Sequence, residues 1–246
     1  MATRDIIVIG ASAGGVQALS RLVADLPPEL PAAVFLVLHV PANVPSLLPA
    51  ILSRDARLPV AHATDGEPIR RSKVYVAPPN RHLLIEDGRV KLVHGPKENL
   101  HRPSIDALFR SAARWAGPRV IGVVLTGARD DGAVGMGAVK RRGGITIVQE
   151  PREAPFPSMP MSVMQEIKVD YSLPLREIAP LLDELSRQTA KEEERYPVRD
   201  QVEVESRIAQ QDMESEELLA SVERIGQKSK AYLSGLSRCA VGNKRR

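Results

Sequence analysis

The sequence predicts a doubly wound α/β fold: a mostly parallel sheet with helices on both faces, followed by a helical C-terminal tail. Three observations carry this. Continuous apolar runs recur along the first 190 residues, as strands buried on both faces require. Segments with helical spacing separate those runs. Hydrophobic residues make up 43% of the 246, enough for a sizeable core at roughly 150 residues per domain.

The elements follow in order. Residues 6–10 form a strand ending in glycine, and residues 16–26 place Leu19, Leu22, Val23 and Leu26 on one helical side. Residues 33–40, 73–78, 119–127 and 144–149 repeat the strand pattern. Residues 81–93 predict a hairpin, because Asp87-Gly88 divides two alternating segments. Residues 104–115 follow Pro103 and carry Asp106 early, as a helix start does. Residues 131–141 open on an acid and close on Lys140 and Arg141, which suits a helix dipole. Residues 175–189, opened by Pro174, complete the globular part, giving a domain over 1–190.

At residue 191 the composition changes. Residues 191–246 carry 11 Lys+Arg and 11 Asp+Glu, Pro197 interrupts them early, and residues 201–233 contain no proline. This predicts a charged helical tail, 191–246, with a disordered end. The formal charge of +4 therefore belongs to residues 1–190. Aromatic residues are only 3%, too few for base stacking, so nucleic acid is not the expected partner. No apolar run is long enough for a membrane helix, and the first residues lack the order of a signal peptide, so the expected compartment is the cytoplasm. A single cysteine, Cys239, allows neither an internal disulfide nor a cysteine zinc site.

The strongest motif is Gly10-Ala11-Ser12-Ala13-Gly14-Gly15, between the first strand and the first helix. A dinucleotide-binding turn would want glycine where Ser12 stands and an acid at the end of the second strand, where His39 stands. No Lys-Ser/Thr pair follows, so a P-loop is excluded. No cofactor and no metal are expected. Gly-x-Ser-x-Gly instead fits a turn that presents a nucleophilic serine. A serine hydroxyl needs a base and an acid to orient that base. His39 ends the second strand and shares the serine's sheet edge. Asp130 and Asp131 end the strand-to-helix run Thr126-Gly127-Ala128-Arg129-Asp130-Asp131-Gly132, where either could cap a helix or serve the histidine. The chain order Ser…His…Asp is not that of α/β-hydrolases.

These motifs, with Tyr75-Val-Ala-Pro-Pro-Asn-Arg-His-Leu-Leu, Arg102-Pro-Ser-Ile-Asp and Leu125-Thr-Gly-Ala-Arg-Asp-Asp-Gly-Ala, resemble the catalytic domain of chemotaxis protein-glutamate methylesterases of the CheB type, in order from about residue 4 to 185. The resemblance implies a doubly wound α/β domain and hydrolysis of glutamate γ-methyl esters on methylated chemoreceptors. Many members also deamidate receptor glutamines. It implies Ser12 as nucleophile, His39 as base and Asp131 as orienting acid, because the family acid directly precedes a Gly-Ala pair, here Gly132-Ala133. It further implies backbone oxyanion donors near the elbow, at Ala13, and in the following loop, at Ala128.

The chain departs from the family where Ala13 replaces a threonine, Ala128-Arg129 replaces Met-Gly, and Ser158-Met159-Pro160 replaces Gly-Met-Pro. Family members typically begin with a receiver domain; here the first strand starts at residue 5, so none is expected. Two alternatives stand beside the esterase: a non-catalytic docking domain of a chemosensory pathway, and an esterase for another signalling protein. His62, His82, His94 and His101 are expected in surface or loop positions. Met159, Met161 and Met164 are expected to pack. Arg102, Arg110, Arg114, Arg129 and Arg152 offer positive charge to an acidic partner.

Overall fold

The computed structural model describes residues 2–40 and 45–190. The order is β1 (Ile6–Ala11), α1 (Gly15–Asp25), β2 (Ala33–Leu38), α2 (Leu48–Leu52), β3 (Val60–His62), β4 (Lys73–Val76), β5 (His82–Glu86), β6 (Arg89–Val93), α3 (Ile105–Ala116), β7 (Val120–Val124), α4 (Ala133–Arg141), β8 (Ile145–Gln149), α5 (Ser158–Glu166), β9 (Tyr171–Leu173) and α6 (Leu175–Arg187). A seven-stranded sheet runs β3-β4-β2-β1-β7-β8-β9, and every neighbouring pair in it is parallel. β1 is central, and β2 and β7 flank it. Reversal of strand order at β1 places a crevice at the C-terminal edge, where open α/β sheets hold their sites.

Alternate residues of each strand feed two cores. Ile7, Ile9 and Ala11 pack with Leu19, Leu22 and Val23 of α1 and with Ile178 and Leu182 of α6. Ile6 and Val8 pack on the other face with Leu108, Phe109 and Ala112 of α3 and with Met136 and Val139 of α4. Each fully buried side chain of this kind contributes roughly 1.5–3 kcal/mol. The hairpin β5–β6 is antiparallel and separate from the main sheet, and it turns through Asp87 and Gly88, both at positive φ (47° and 74°). That is the geometry an Asp-Gly turn favours.

The predicted strands and principal helices form with shifted ends. Helix α4 starts at Ala133 rather than at Asp131, because Asp131 is drawn into the core. Among the short elements that the sequence does not predict are α2, β3, α5 and β9. β3 and β9 have three residues each, too few to show a period. α5 opens among Pro155, Pro157 and Pro160, which fit a first helical turn although they read as breakers. Of its methionines only Met159 packs; Met161 and Met164 are 45% and 44% exposed, against expectation. The predicted tail, 191–246, lies outside the described residues. Among the described residues no helix is long and apolar enough to cross a membrane.

Candidate active site

Ser12 stands one residue beyond β1, at the C-terminal edge of the sheet. Its N–H donates to the Thr126 carbonyl (3.1 Å), and its own carbonyl accepts from Gly15 N–H (2.8 Å). The turn needs its glycines for two reasons. Gly14 is left-handed, at φ 74°, and caps α1. At Gly15 a Cβ would lie 2.8 Å from Ala11 Cβ and 2.6 Å from Leu38 Cδ1; the Ala11 methyl has no rotamer to yield, so glycine lets α1 start this close to β1. The positive φ of the turn therefore falls on Gly14 and not on the serine.

His39 follows β2 and hydrogen-bonds through its N–H to Ala11 O (3.2 Å), which fixes it beside the serine turn. Its Nδ1 lies 3.1 Å from Ser12 Oγ, and its Nε2 lies 2.7 Å from Asp131 Oδ2. Asp131 follows β7. Because β2, β1 and β7 are adjacent and parallel, all three residues emerge at one edge.

Asp131 is 1% exposed, yet both its oxygens are well supplied. Oδ1 accepts from Ser104 Oγ (2.9 Å), Asp106 N–H (3.1 Å) and Asn99 Nδ2 (3.0 Å); Oδ2 also accepts from Ile105 N–H (2.8 Å). The carboxylate thus caps the N-terminus of α3, where the helix dipole favours negative charge. Burial raises its pKa, but the bond and charge of His39 and the bonds from Ile105 and Asn99 outweigh that and hold it at about 2. With Asp131 ionised, Nε2 of His39 carries the donating proton and Nδ1 presents a lone pair to the Ser12 hydroxyl.

Asp106, the second buried acid, answers this arrangement. Its Oδ1 accepts from Gly132 N–H (3.0 Å) and Gly135 N–H (2.6 Å), capping α4, while Oδ2 accepts from Asn99 Nδ2 (2.8 Å). Burial and the nearby Asp131 charge push it up to about 7. Asp130, the alternative acid, stays exposed and does not cap α4 with its side chain.

Ala13 and Ala128 lie in two tied loops. Thr126 Oγ1 donates to Ala13 O (3.1 Å), and Ala128 sits between Gly127, whose N–H donates to Phe156 O (2.9 Å), and Arg129, whose N–H donates to Ser158 Oγ (3.1 Å). Arg129 takes φ 71° where the family pattern has glycine. Among the described residues neither the Ala13 nor the Ala128 N–H donates to a protein acceptor. Nor do any three His, Cys, Asp or Glu side chains converge, among the described residues, as a metal ion would need.

Several expectations need correction. His82 is fully buried, not superficial: Nε2 donates to Pro96 O (2.8 Å), Nδ1 accepts from Ser104 N–H (3.2 Å), and burial lowers its pKa. His62 is half-buried against the Ser46 and Val76 carbonyls. Arg102 is committed to Asn80 and the Gly95 carbonyl, and buried Arg110 pairs with Glu98, so neither offers charge to a partner. Arg129 and Arg152 are exposed. Asn99 is not among the expected site residues, and His101, expected only as a surface or loop residue, stacks on His39. Both touch the Ser12–His39–Asp131 group, through loop geometry that leaves no periodic trace in the sequence.

The CheB methylesterase family model matches residues 7–182. A relative from Leptospira interrogans is 39% identical over 184 residues, covering 74% of this chain and 95% of its own. The protein-glutamate methylesterase/protein-glutamine glutaminase 2 of Anaeromyxobacter dehalogenans is 38% identical over 183 residues, and this chain spans 54% of it. The crystal structure of the Thermotoga maritima CheB methylesterase catalytic domain superposes with a TM-score of 0.70 at 35% identity, covering 74% of this chain and 98% of that one. The parallel seven-stranded sheet with its surrounding helices matches the fold of that domain, and the chain belongs to the CheB methylesterase family.

Proposed function

We propose that this protein is a cytoplasmic serine esterase that hydrolyses glutamate γ-methyl esters on chemoreceptors by acyl transfer through Ser12. Ser12 Oγ attacks the ester carbonyl as Nδ1 of His39 takes its proton. Asp131 holds the opposite nitrogen and stabilises the imidazolium. The Ala13 and Ala128 amides receive the oxyanion. His39 then protonates the departing methanol and next deprotonates a water, which releases glutamate and regenerates Ser12. The same acyl transfer on a glutamine amide, with ammonia leaving, supports the glutaminase activity named in the relatives.

The observation that carries this reading is the continuous bonded line Ser12–His39–Asp131 at the sheet edge. A docking domain would not need an acid held ionised behind a histidine that faces a serine hydroxyl. A protein substrate is supported by the surface around the line. Val16 follows β1, Leu47 follows β2, Val134 follows β7, and Phe156 with Met161 follows β8; all are exposed large apolar side chains. Leu100, 70% exposed, stands beside His101. Exposed apolar side chains following the C-terminal ends of several strands suit a protein contact. The test is methanol release from methylated receptor membranes. Turnover that Ser12→Ala abolishes supports the proposal. Equal release by both proteins, or none by either, refutes it.

A further inference from the structure

One turn touches two of the three residues in the proposed mechanism. Glu98 and His101 exchange both backbone hydrogen bonds, at 3.1 and 2.8 Å, and the residues between them, Asn99 and Leu100, are both left-handed, at φ 49° and 69°. Tight primed turns require this at both central positions. Asparagine tolerates it; leucine does so at a cost, and exposed Leu100 recovers little of that cost by packing within its own chain. A conformation kept against local preference directs attention to what its flanking side chains do. Asn99 donates to Asp131 (3.0 Å), and the His101 ring lies flat on the His39 ring, with centroids 3.6 Å apart and planes 7° apart. The turn is anchored on its far side by the ion pair of Glu98 with buried Arg110.

We propose that the turn Glu98–His101 is a clamp on the base, in which the His101 ring holds the His39 imidazole in the plane of Ser12 and Asp131 and lends its π face to the imidazolium formed in acyl transfer. This rests on the esterase reading above. His101 is a positioning residue: it acts through His39.

Hydrogen bonds at its two ring nitrogens resist tilting of the His39 ring only weakly. A flat ring at van der Waals distance blocks the swing. A neutral aromatic face also attracts a cation beside it. His101 suits that task because burial first, and the charge on His39 next, lower its pKa; Arg129 and Lys97 act the same way, and Asp131 opposes them. These causes favour the neutral His101 ring beside a protonated His39.

The test compares His101→Ala and His101→Phe in the full chain, on a small methyl ester and on methylated receptor. The alanine variant is expected to lose on the order of tenfold in kcat with KM shifted less than about twofold. Phenylalanine, flat and uncharged, is expected to restore kcat to within about threefold of the parent. An alanine variant with parental kcat would overturn the proposal, and so would a phenylalanine variant no better than alanine. NMR separates this failure from failure of the esterase reading. The His39 ring protons carry the shielding of the stacked ring in the parent and in His101→Phe, and lose it in His101→Ala, whether or not the chain turns over ester. Unchanged His39 resonances in the alanine variant would show that the rings do not stack in solution and would end the proposal.

Discussion

The starts of α3 and α4 are closed in the same way and end up electrically opposite. Each helix is capped by an acid from the start of the other: Asp131 caps α3, and Asp106 caps α4. Both carboxyls are buried, at 1% and 2% exposure, and both take a hydrogen from Asn99. Yet Asp131 is held at about 2 while Asp106 is pushed up to about 7. Burial opposes ionisation at both, so burial cannot explain the difference. The partner does. Asp131 faces His39, which binds it and can become a cation; Asp106 faces Asp131, which is an anion. One negative charge in this pocket is stabilised by two helix ends and a histidine. A second is not. The pair teaches that the same capping geometry serves function in one helix and structure in the other.

The largest expected break in that comparison is Asp131→Asn. The amide cannot hold the correct tautomer of His39 or stabilise its imidazolium, so kcat on a methyl ester should fall on the order of 10⁴-fold. Asp106→Asn keeps an oxygen for Gly132 and Gly135 and should change kcat by less than about threefold. Similar losses in the two variants would erase the proposed division of labour.

Asn99→Ala should act on both acids at once. It removes a donor that lowers both pKa values. A loss in kcat of about tenfold is expected, smaller than for Asp131→Asn because His39 and the α3 N-terminus remain. An unaffected rate would mean that the shared amide does not matter to the acid.

A finer contrast lies in the pH dependence of stability. The folded-state pKa of Asp106 is raised from 3.8 to about 7, so between those values the folded chain binds more protons than the unfolded one. Its contribution is fully present below about pH 4 and is lost as pH rises through about 7. Asp131 has the opposite sign: its stabilisation is present above 3.8 and is lost as pH falls toward about 2. The Tm of Asp106→Asn should therefore gain on that of the parent as pH rises from 4 to 7. Parallel melting curves would show that Asp106 is not raised. The smallest effect belongs to exposed Asp130, where asparagine should change stability by less than about 0.5 kcal/mol and leave turnover within about twofold.

The serine turn and the longer strands were legible because their signals are local. Strand, glycines and helix follow one another within residues 6–26, and the apolar runs of β1, β2 and β7 imply a parallel sheet before any contact is known. His39 was legible because a strand end in such a sheet has one place to go. The acid was legible only by resemblance: Asp130 and Asp131 are adjacent, and spacing alone cannot say which turns inward. The second buried acid was invisible in its role. In the sequence Asp106 is the early acid of its own helix, yet it caps a helix 26 residues further on. His82, Asn99 and His101 were misread or missed for the same reason. Their partners are distant in sequence, and no pattern of polar residues announces a ring stacked on another ring.

Acylation of Ser12 with His39 as its base is tested by covalent trapping. The protein is treated with a fluorophosphonate ester and digested with trypsin, and the peptide spanning residues 5–21 is sequenced by mass spectrometry. That peptide holds two serines, Ser12 and Ser20, so the position of the adduct is decisive. A single adduct at Ser12 is expected, formed at least about 10²-fold more slowly in His39→Ala. An adduct at Ser20, no adduct, or labelling that ignores the loss of His39 would contradict acylation of Ser12 with His39 as its base.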